Sequence, residues 1–212
     1  MGFRKNESVS SINLCSNSSI PLWKSRRLRI VKEYVDDDFI LTVGSINARK
    51  NLLGMLKAYA KQEKRPKFVV IGNGHEYRKL CEKFIQEKNL ENDVIIIDNI
   101  HEGYVLQAFY TYAKVLMYPS YYEGFGLPVV EAALQRCPII TSNVSSLPEA
   151  AGNGAIQVAP NDIKTMASSL HRLLTDPQEC TYLGQKAYEH ATEHFNPEEL
   201  TNDIYKLYNS IL

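Results

Sequence analysis

The sequence has no excess charge of either sign, because 24 lysines and arginines are matched by 24 aspartates and glutamates. Its basic residues form no stripe, and a neutral chain produces no field that would attract nucleic acid. It also lacks an apolar run of the roughly 20 residues that a membrane-spanning helix requires. We therefore expect no nucleic-acid partner and no membrane span, while peripheral association with a membrane is left open.

Cysteines are few and far apart, and none has the close spacing of metal ligands. The four are Cys15, Cys81, Cys137 and Cys180. His190 and His194 are spaced like two ligands on a helix, but no glutamate directly follows His190 and no third ligand is evident, which favours surface histidines. The first residues lack the apolar core of a secretion signal. These absences predict free thiols, no metal site and a cytoplasmic location.

Short apolar runs alternate with segments of helical periodicity along the chain. These mainly apolar runs, four of which include one polar or charged residue, are residues 39–43, 68–71, 94–98, 115–118, 137–141 and 155–158. This alternation predicts an α/β fold with a doubly wound, mostly parallel, Rossmann-like sheet. We assign residues 1–34 to a polar N-terminal segment with a covering helix, and residues 35–212 to the Rossmann-like domain with its C-terminal helices. A short strand within residues 9–14 and a last helix from residue 196 are also expected.

The most informative stretch is residues 118–132, in which an apolar run ends in a glycine turn and a helix start. Gly124 and Gly126 allow the backbone to approach a ligand closely. Leu127 or the proline after it opens a helix, whose free N–H groups attract an anion. Glu123 and Glu131 flank this turn and could accept hydrogen bonds from sugar hydroxyls. The pattern alone equally fits a tight loop with two solvated glutamates.

Two further runs end in glycine turns. Gly44 is followed by Arg49 and Lys50 just before a helix, an arrangement that suits a diphosphate but also fits a surface basic pair. Gly72 and Gly74 begin a second turn that fails the dinucleotide pattern G-x-G-x-x-G, because Tyr77 replaces the third glycine. A nicotinamide dehydrogenase is therefore disfavoured.

Glu123 and Glu131 have seven residues between them, and the text around them is P-S-x-x-E-G-F-G-L-P-x-x-E-A. This stretch resembles the E-x7-E signature of retaining glycosyltransferases of family 4 (group 1). The resemblance covers roughly residues 35–208 and is to the C-terminal, donor-binding half of the two-domain GT-B architecture. Lys50 matches the family's lysine, whereas Ser45 stands where many members have an arginine. Either Arg49 compensates or the pocket is weaker.

The resemblance implies a UDP- or GDP-sugar as substrate, with no cofactor and no metal. It implies that Lys50 and Arg49 neutralise the diphosphate and that Glu123 holds the transferred sugar, and we class these three as catalytic. Glu131 is expected to hold the ribose. The remaining residues assigned to the pocket supply backbone groups or walls: Gly44, Gly72, Gly74, Ile100, Gly124, Phe125, Gly126 and Leu127.

A complete enzyme of this architecture also needs an acceptor-binding domain, for which 212 residues leave no room. Our first hypothesis is a donor-binding half that transfers sugar, with retention, only with an acceptor-domain partner chain. The alternative is a nucleotide-sugar-binding or interaction module without transferase activity.

Overall fold

The computed structural model describes residues 22–98, 100, 102–196, 201 and 205–209. The strand expected within residues 9–14 lies outside this part of the chain, as does much of the expected last helix. Whether the chain divides at residue 34 stays a prediction.

Six strands alternate with helices in the described chain. The strands are β1 (Phe39–Val43), β2 (Lys67–Ile71), β3 (Val94–Ile97), β4 (Leu116–Tyr118), β5 (Ile139–Ser142) and β6 (Ala155–Val158). The helices are α1 (Leu22–Lys32), α2 (Leu52–Tyr59), α3 (Glu76–Glu87), α4 (Gly103–Tyr112), α5 (Leu127–Leu134), α6 (Leu147–Ala151), α7 (Ile163–Thr175) and α8 (Pro177–His194). Two short 3-10 turns cover Ala48–Lys50 and Gly152–Gly154.

The strands form one parallel sheet in the order β3-β2-β1-β4-β5-β6. Strands β1, β2 and β3 follow one another from the centre of the sheet to one edge. The chain then returns to the centre, and β4, β5 and β6 follow one another to the other edge. The order therefore reverses between β1 and β4, and ligands of such sheets bind at the carboxyl ends of the strands beside this point. The predicted doubly wound, Rossmann-like fold is confirmed.

Helices cover both faces of the sheet, which explains why the strands are apolar in nearly every position. On β1, Phe39 and Leu41 pack in one core with helices α1, α4, α5 and α8, while Ile40 packs in the other core with α2, α3 and α7. A strand buried on both sides does not alternate polar and apolar residues, and β1 accordingly has Thr42 as its one polar residue.

Several predicted boundaries shift by a few residues. The helix expected up to residue 62 ends at Tyr59. The strand expected from Cys137 begins at Ile139, and burial raises the pKa of the Cys137 thiol to about 12. The described cysteines Cys81, Cys137 and Cys180 are free thiols, as expected. Of the predicted surface histidines, His194 is exposed but His190 is half-buried, with its Nε2 2.8 Å from the Glu149 carbonyl oxygen.

Among the described residues, no helix combines the length and apolar character needed to cross a bilayer. Within the same ranges, no three histidine, cysteine, aspartate or glutamate side chains are grouped as a metal site.

Candidate donor-binding site

The carboxyl ends of β1 and β4 lie side by side, and the loops that leave them meet above the sheet. The β1 loop runs through Gly44, Arg49 and Lys50, and the β4 loop contains Glu123. The Lys50 side chain folds back over Gly44, so that a Cβ built on Gly44 would lie 3.4 Å from Lys50 Cε. Four of the predicted site residues thus come together at the point where the strand order reverses.

Glu123 is the centre of an ionic cluster and is only 8% exposed. Its Oε1 lies 2.7 Å from Lys50 Nζ, and its Oε2 lies 2.7 Å from Arg49 Nη1. Lys50 Nζ also donates a hydrogen bond to the Tyr118 hydroxyl. Burial alone would raise the pKa of Glu123, but the bonds from Lys50 and Arg49 outweigh it and lower the pKa below its usual 4.5. Glu123 is therefore a carboxylate that only accepts hydrogen bonds.

The lowered pKa of Glu123 predicts a stability that depends on pH. A carboxylate whose pKa is lowered by folding contributes stability that is present above its unfolded pKa and lost as the pH falls through its folded pKa. In Glu123→Gln this contribution is absent. We expect the difference in unfolding free energy between wild type and Glu123→Gln to be constant near neutral pH and to shrink below pH 4.5. Urea unfolding of both proteins at a series of pH values checks this, and a pH-independent difference would contradict it.

Arg49 joins the two loops. Its Nη1 donates to the Tyr122 carbonyl oxygen at 2.7 Å, and its own carbonyl accepts from the Tyr121 N–H at 2.8 Å. The guanidinium therefore contacts the Glu123 carboxylate and also the backbone of the loop between β4 and α5, here called the glycine loop. The basic pair lies in a 3-10 turn that the left-handed residue Asn51 separates from α2. Its role toward a diphosphate stays a prediction.

The glycine loop between β4 and α5 is fixed by two serines that the sequence did not single out. The Ser145 hydroxyl donates to the Glu123 carbonyl at 2.5 Å, and the Ser146 hydroxyl lies 2.9 Å from the Phe125 carbonyl. Gly126 has a φ of +106°, in the left-handed region that favours glycine. A Cβ on Gly124 would meet no atom within 4 Å, so Gly124 borders open space at the mouth of the site.

Glu131 lies farther along α5 and is exposed. Its Oε2 accepts a hydrogen bond of 2.8 Å from the hydroxyl of Tyr110, which is 2% exposed on α4. Tyr110 was not predicted as part of the site, because nothing in its local sequence pattern indicates a partner in another helix.

The second glycine turn supports the β1 loop. A Cβ on Gly72 would lie 1.9 Å from the Gly44 carbonyl oxygen, and one on Gly74 would lie 2.2 Å from the Ile46 carbonyl oxygen. The backbone N–H of Ile46 donates to the Asn73 carbonyl at 2.7 Å. Tyr77 accepts from the Leu53 N–H at the start of α2. These glycines therefore allow two backbone turns to pack closely, and their contact with a ligand stays a prediction.

The remaining predicted pocket residues differ in their burial. Leu127 is exposed at the first turn of α5, and Ile100 is partly buried against the core after β3. Asn51 was not predicted as part of the site. It is buried with a φ of +62°, and its amide donates to the carbonyl oxygens of Pro119 and Pro160 at 3.0 and 2.6 Å. It thereby ties the β1 loop to the segments that follow β4 and β6.

A cavity of about 500 Å³ lies elsewhere, at the amino ends of the strands. Asp38, Pro66 and Lys114, which line it, precede β1, β2 and β4. Lys114 is paired there with Asp38 at 3.1 Å. Because ligands of doubly wound sheets bind at the opposite edge, the Glu123 cluster rather than this cavity is the candidate site.

An α/β protein with this strand order, and with basic and glycine loops where the order reverses, has a doubly wound, Rossmann-like architecture. Residues 25–190 match the family model described as glycosyl transferases group 1, and the chain belongs to this family. It is similar to O-antigen chain mannosyltransferase B of Escherichia coli, with 30% identity over 179 residues that cover 76% of this chain and 44% of that protein.

Two solved structures have the same fold. Sucrose-phosphate synthase from Thermosynechococcus elongatus matches with a TM-score of 0.79 and 28% identity, over 88% of this chain and 48% of that one. Anabaena Alr3699/HepE, solved in complex with UDP-glucose, matches with a TM-score of 0.79 and 18% identity, over 91% of this chain and 54% of that one. The chain thus spans about half the length of these proteins, and their fold is of the GT-B type.

Proposed function

We propose that this chain is the donor-binding half of a retaining, family 4 glycosyltransferase that uses a UDP- or GDP-sugar and needs an acceptor-binding half for transfer. The observation that carries the proposal is the cluster of Lys50, Arg49 and Glu123 beside the glycine loop. Two cations and one carboxylate leave a net charge of about +1 at the site, which attracts an anion. The mannosyltransferase relationship supports a sugar-transfer reaction.

The diphosphate of the donor would lie between this cluster and the first turn of α5. Lys50 and Arg49 would balance its charge, and the backbone amides of the loop 124–126 would donate to its oxygens. The same groups stabilise the negative charge that grows on the diphosphate as the sugar leaves. Groups that are already in place when this charge develops lower the barrier without reorganising during the reaction.

The two glutamates would hold the hydroxyl groups at either end of the donor. Glu131 would accept from the ribose, and Glu123 from the transferred sugar, because both carboxylates accept hydrogen bonds and donate none when ionised. Retention is carried over from the family resemblance, in which the acceptor attacks the same face of the sugar that the diphosphate leaves. The acceptor half would supply the acceptor and exclude water from the closed site.

A second candidate is a nucleotide-sugar-binding module without transferase activity. The two candidates share the donor site and differ in the need for a partner. Sugar transfer that appears only when an acceptor-domain chain is added would support the enzyme, whereas donor binding without transfer in any pairing would support the module.

The donor site itself is tested by calorimetric titration of the 212-residue chain with UDP, GDP and their sugar conjugates. We expect binding of one nucleotide series, weakened roughly 10- to 100-fold in Glu131→Ala because a charged hydrogen bond is lost. Glu91→Ala is the matched control, since Glu91 is an exposed glutamate that precedes β3 at the opposite edge of the sheet. Absence of binding to every nucleotide would contradict the proposal.

A further inference from the structure

Tyr110 on α4 and Glu131 on α5 form a contact between the two helices. The Tyr110 hydroxyl lies 2.8 Å from Glu131 Oε2, and the two residues are 21 positions apart. Tyr110 is almost completely buried, whereas Glu131 is exposed. One oxygen of a solvent-facing carboxylate is therefore held by a phenol that is fixed in the core.

The direction of this hydrogen bond follows from the surroundings of Tyr110. Burial, and then the charge of Glu131, strongly raise the pKa of the phenol, so that it keeps its proton and donates. A carboxylate has two oxygens, and the bond to Tyr110 uses Oε2. Because this bond restricts the rotation of the carboxylate, the Oε1 oxygen of the exposed Glu131 keeps a defined orientation.

We propose that Tyr110 is a positioning residue that orients Glu131 toward the vicinal hydroxyls of a ribose, so that the site prefers ribonucleotides to 2′-deoxyribonucleotides. This inference rests on the proposed function, which assigns Glu131 to the ribose. Tyr110 acts only through Glu131 and does not touch the ligand. A carboxylate that rotates freely would contact the same hydroxyls less often, and the site would lose part of its preference for ribonucleotides.

The chain offers a matched control in Tyr59. It is also fully buried, its hydroxyl donates to the Pro66 carbonyl oxygen at 2.7 Å, and burial raises its pKa. Tyr59→Phe therefore removes a comparable phenol hydrogen bond far from the ribose site. Any loss that both variants share reflects core stability, and a loss confined to Tyr110→Phe reflects the contact with Glu131.

The test is calorimetric titration of wild type, Tyr110→Phe and Tyr59→Phe with UDP and 2′-deoxy-UDP, or with the guanine pair if GDP is the nucleotide that binds. We expect wild type and Tyr59→Phe to prefer the ribonucleotide about 10-fold, and Tyr110→Phe to lose most of this preference while its affinity for the deoxynucleotide is unchanged. In a Glu131→Ala background, Tyr110→Phe should have no further effect.

The possible results are distinguishable. A ribonucleotide preference that survives in Tyr110→Phe, or equal binding of both nucleotides by wild type, would overturn this inference alone. Failure of wild type to bind any nucleotide would overturn the proposed function and the inference with it.

The phenyl ring stays in place and the freed Glu131 oxygen faces water, so Tyr110→Phe should melt within a few degrees of Tyr59→Phe. If Tyr110→Phe does not fold, the ribonucleotide preference is measured in Glu131→Asp, whose shorter side chain withdraws the carboxylate from Tyr110. An unchanged preference in Glu131→Asp overturns the inference.

Discussion

Replacing Lys50 by alanine is expected to weaken nucleoside diphosphate binding roughly 10- to 100-fold, because a charged hydrogen bond to a phosphate is lost in a partly buried site. Lys50 is 15% exposed and lies at the junction of the two loops. Its loss also changes the net charge of the cluster from about +1 to about zero, since Arg49 and Glu123 then balance each other. The variant therefore loses both the direct hydrogen bond to the phosphate and the longer-range electrostatic attraction of the cluster for an anion.

Calorimetric titration of Lys50→Ala and of the control Lys57→Ala checks this prediction. Lys57 is an exposed lysine on α2, so its replacement changes the net charge of the chain equally without touching the cluster. If the charge of the whole chain were responsible, the two variants would lose affinity alike. Unchanged affinity in Lys50→Ala would remove the lysine from the donor site.

Lys50→Ala also perturbs Glu123, and this effect must be separated from ligand binding. Removing one partner of a buried ion pair is costly because the remaining charge is left without its balance. We therefore expect Lys50→Ala to unfold at lower urea concentration than wild type. The double variant Lys50→Ala/Glu123→Gln should recover part of the stability but none of the nucleotide affinity, since the carboxylate is neutralised and the phosphate-binding cation is still missing.

The fold was largely predictable because helices cover both faces of the sheet and the inner strands are buried on both sides. The run 39–43 is apolar except for the buried Thr42, and a segment of that length between helical patterns is typical of a central parallel strand. The residues at which strands and helices begin and end were harder to predict. Cys137 is apolar and buried like a strand residue, yet the chain pairs with β4 only from Ile139 onward. Hydrophobicity indicates burial, whereas pairing depends on the neighbouring strand.

The candidate site was predictable in its residue types but not in its contacts. Glycines and charges at strand ends indicated the loops, whereas the partner of each charge lies on a distant segment. Arg49 meets Glu123 across 74 positions, and Asn51 meets Pro160 across 109. The two cations that were predicted to bind a diphosphate pair with a carboxylate in the structure, a contact that only the assembled sheet creates.

Gly72→Ala is expected to lower the free energy of unfolding by about 2–4 kcal/mol, from backbone strain and overpacking together. Gly72 has a φ of +153°, and a Cβ there would lie 1.9 Å from the Gly44 carbonyl oxygen and 2.7 Å from its carbonyl carbon. Both atoms belong to the backbone at the end of β1, so no side-chain rotation relieves the overlap. The β1 and β2 loops would have to move apart.

Urea unfolding of Gly72→Ala and Gly103→Ala measures this effect. A Cβ at Gly103 would meet no atom within 4 Å at the start of α4, so that variant should be as stable as wild type. The comparison also separates two roles for Gly72. A large loss of stability means that the glycine serves the packing of two backbones beneath the site. A stable Gly72→Ala protein with weakened nucleotide binding would instead mean that the absent side chain leaves space for the donor itself.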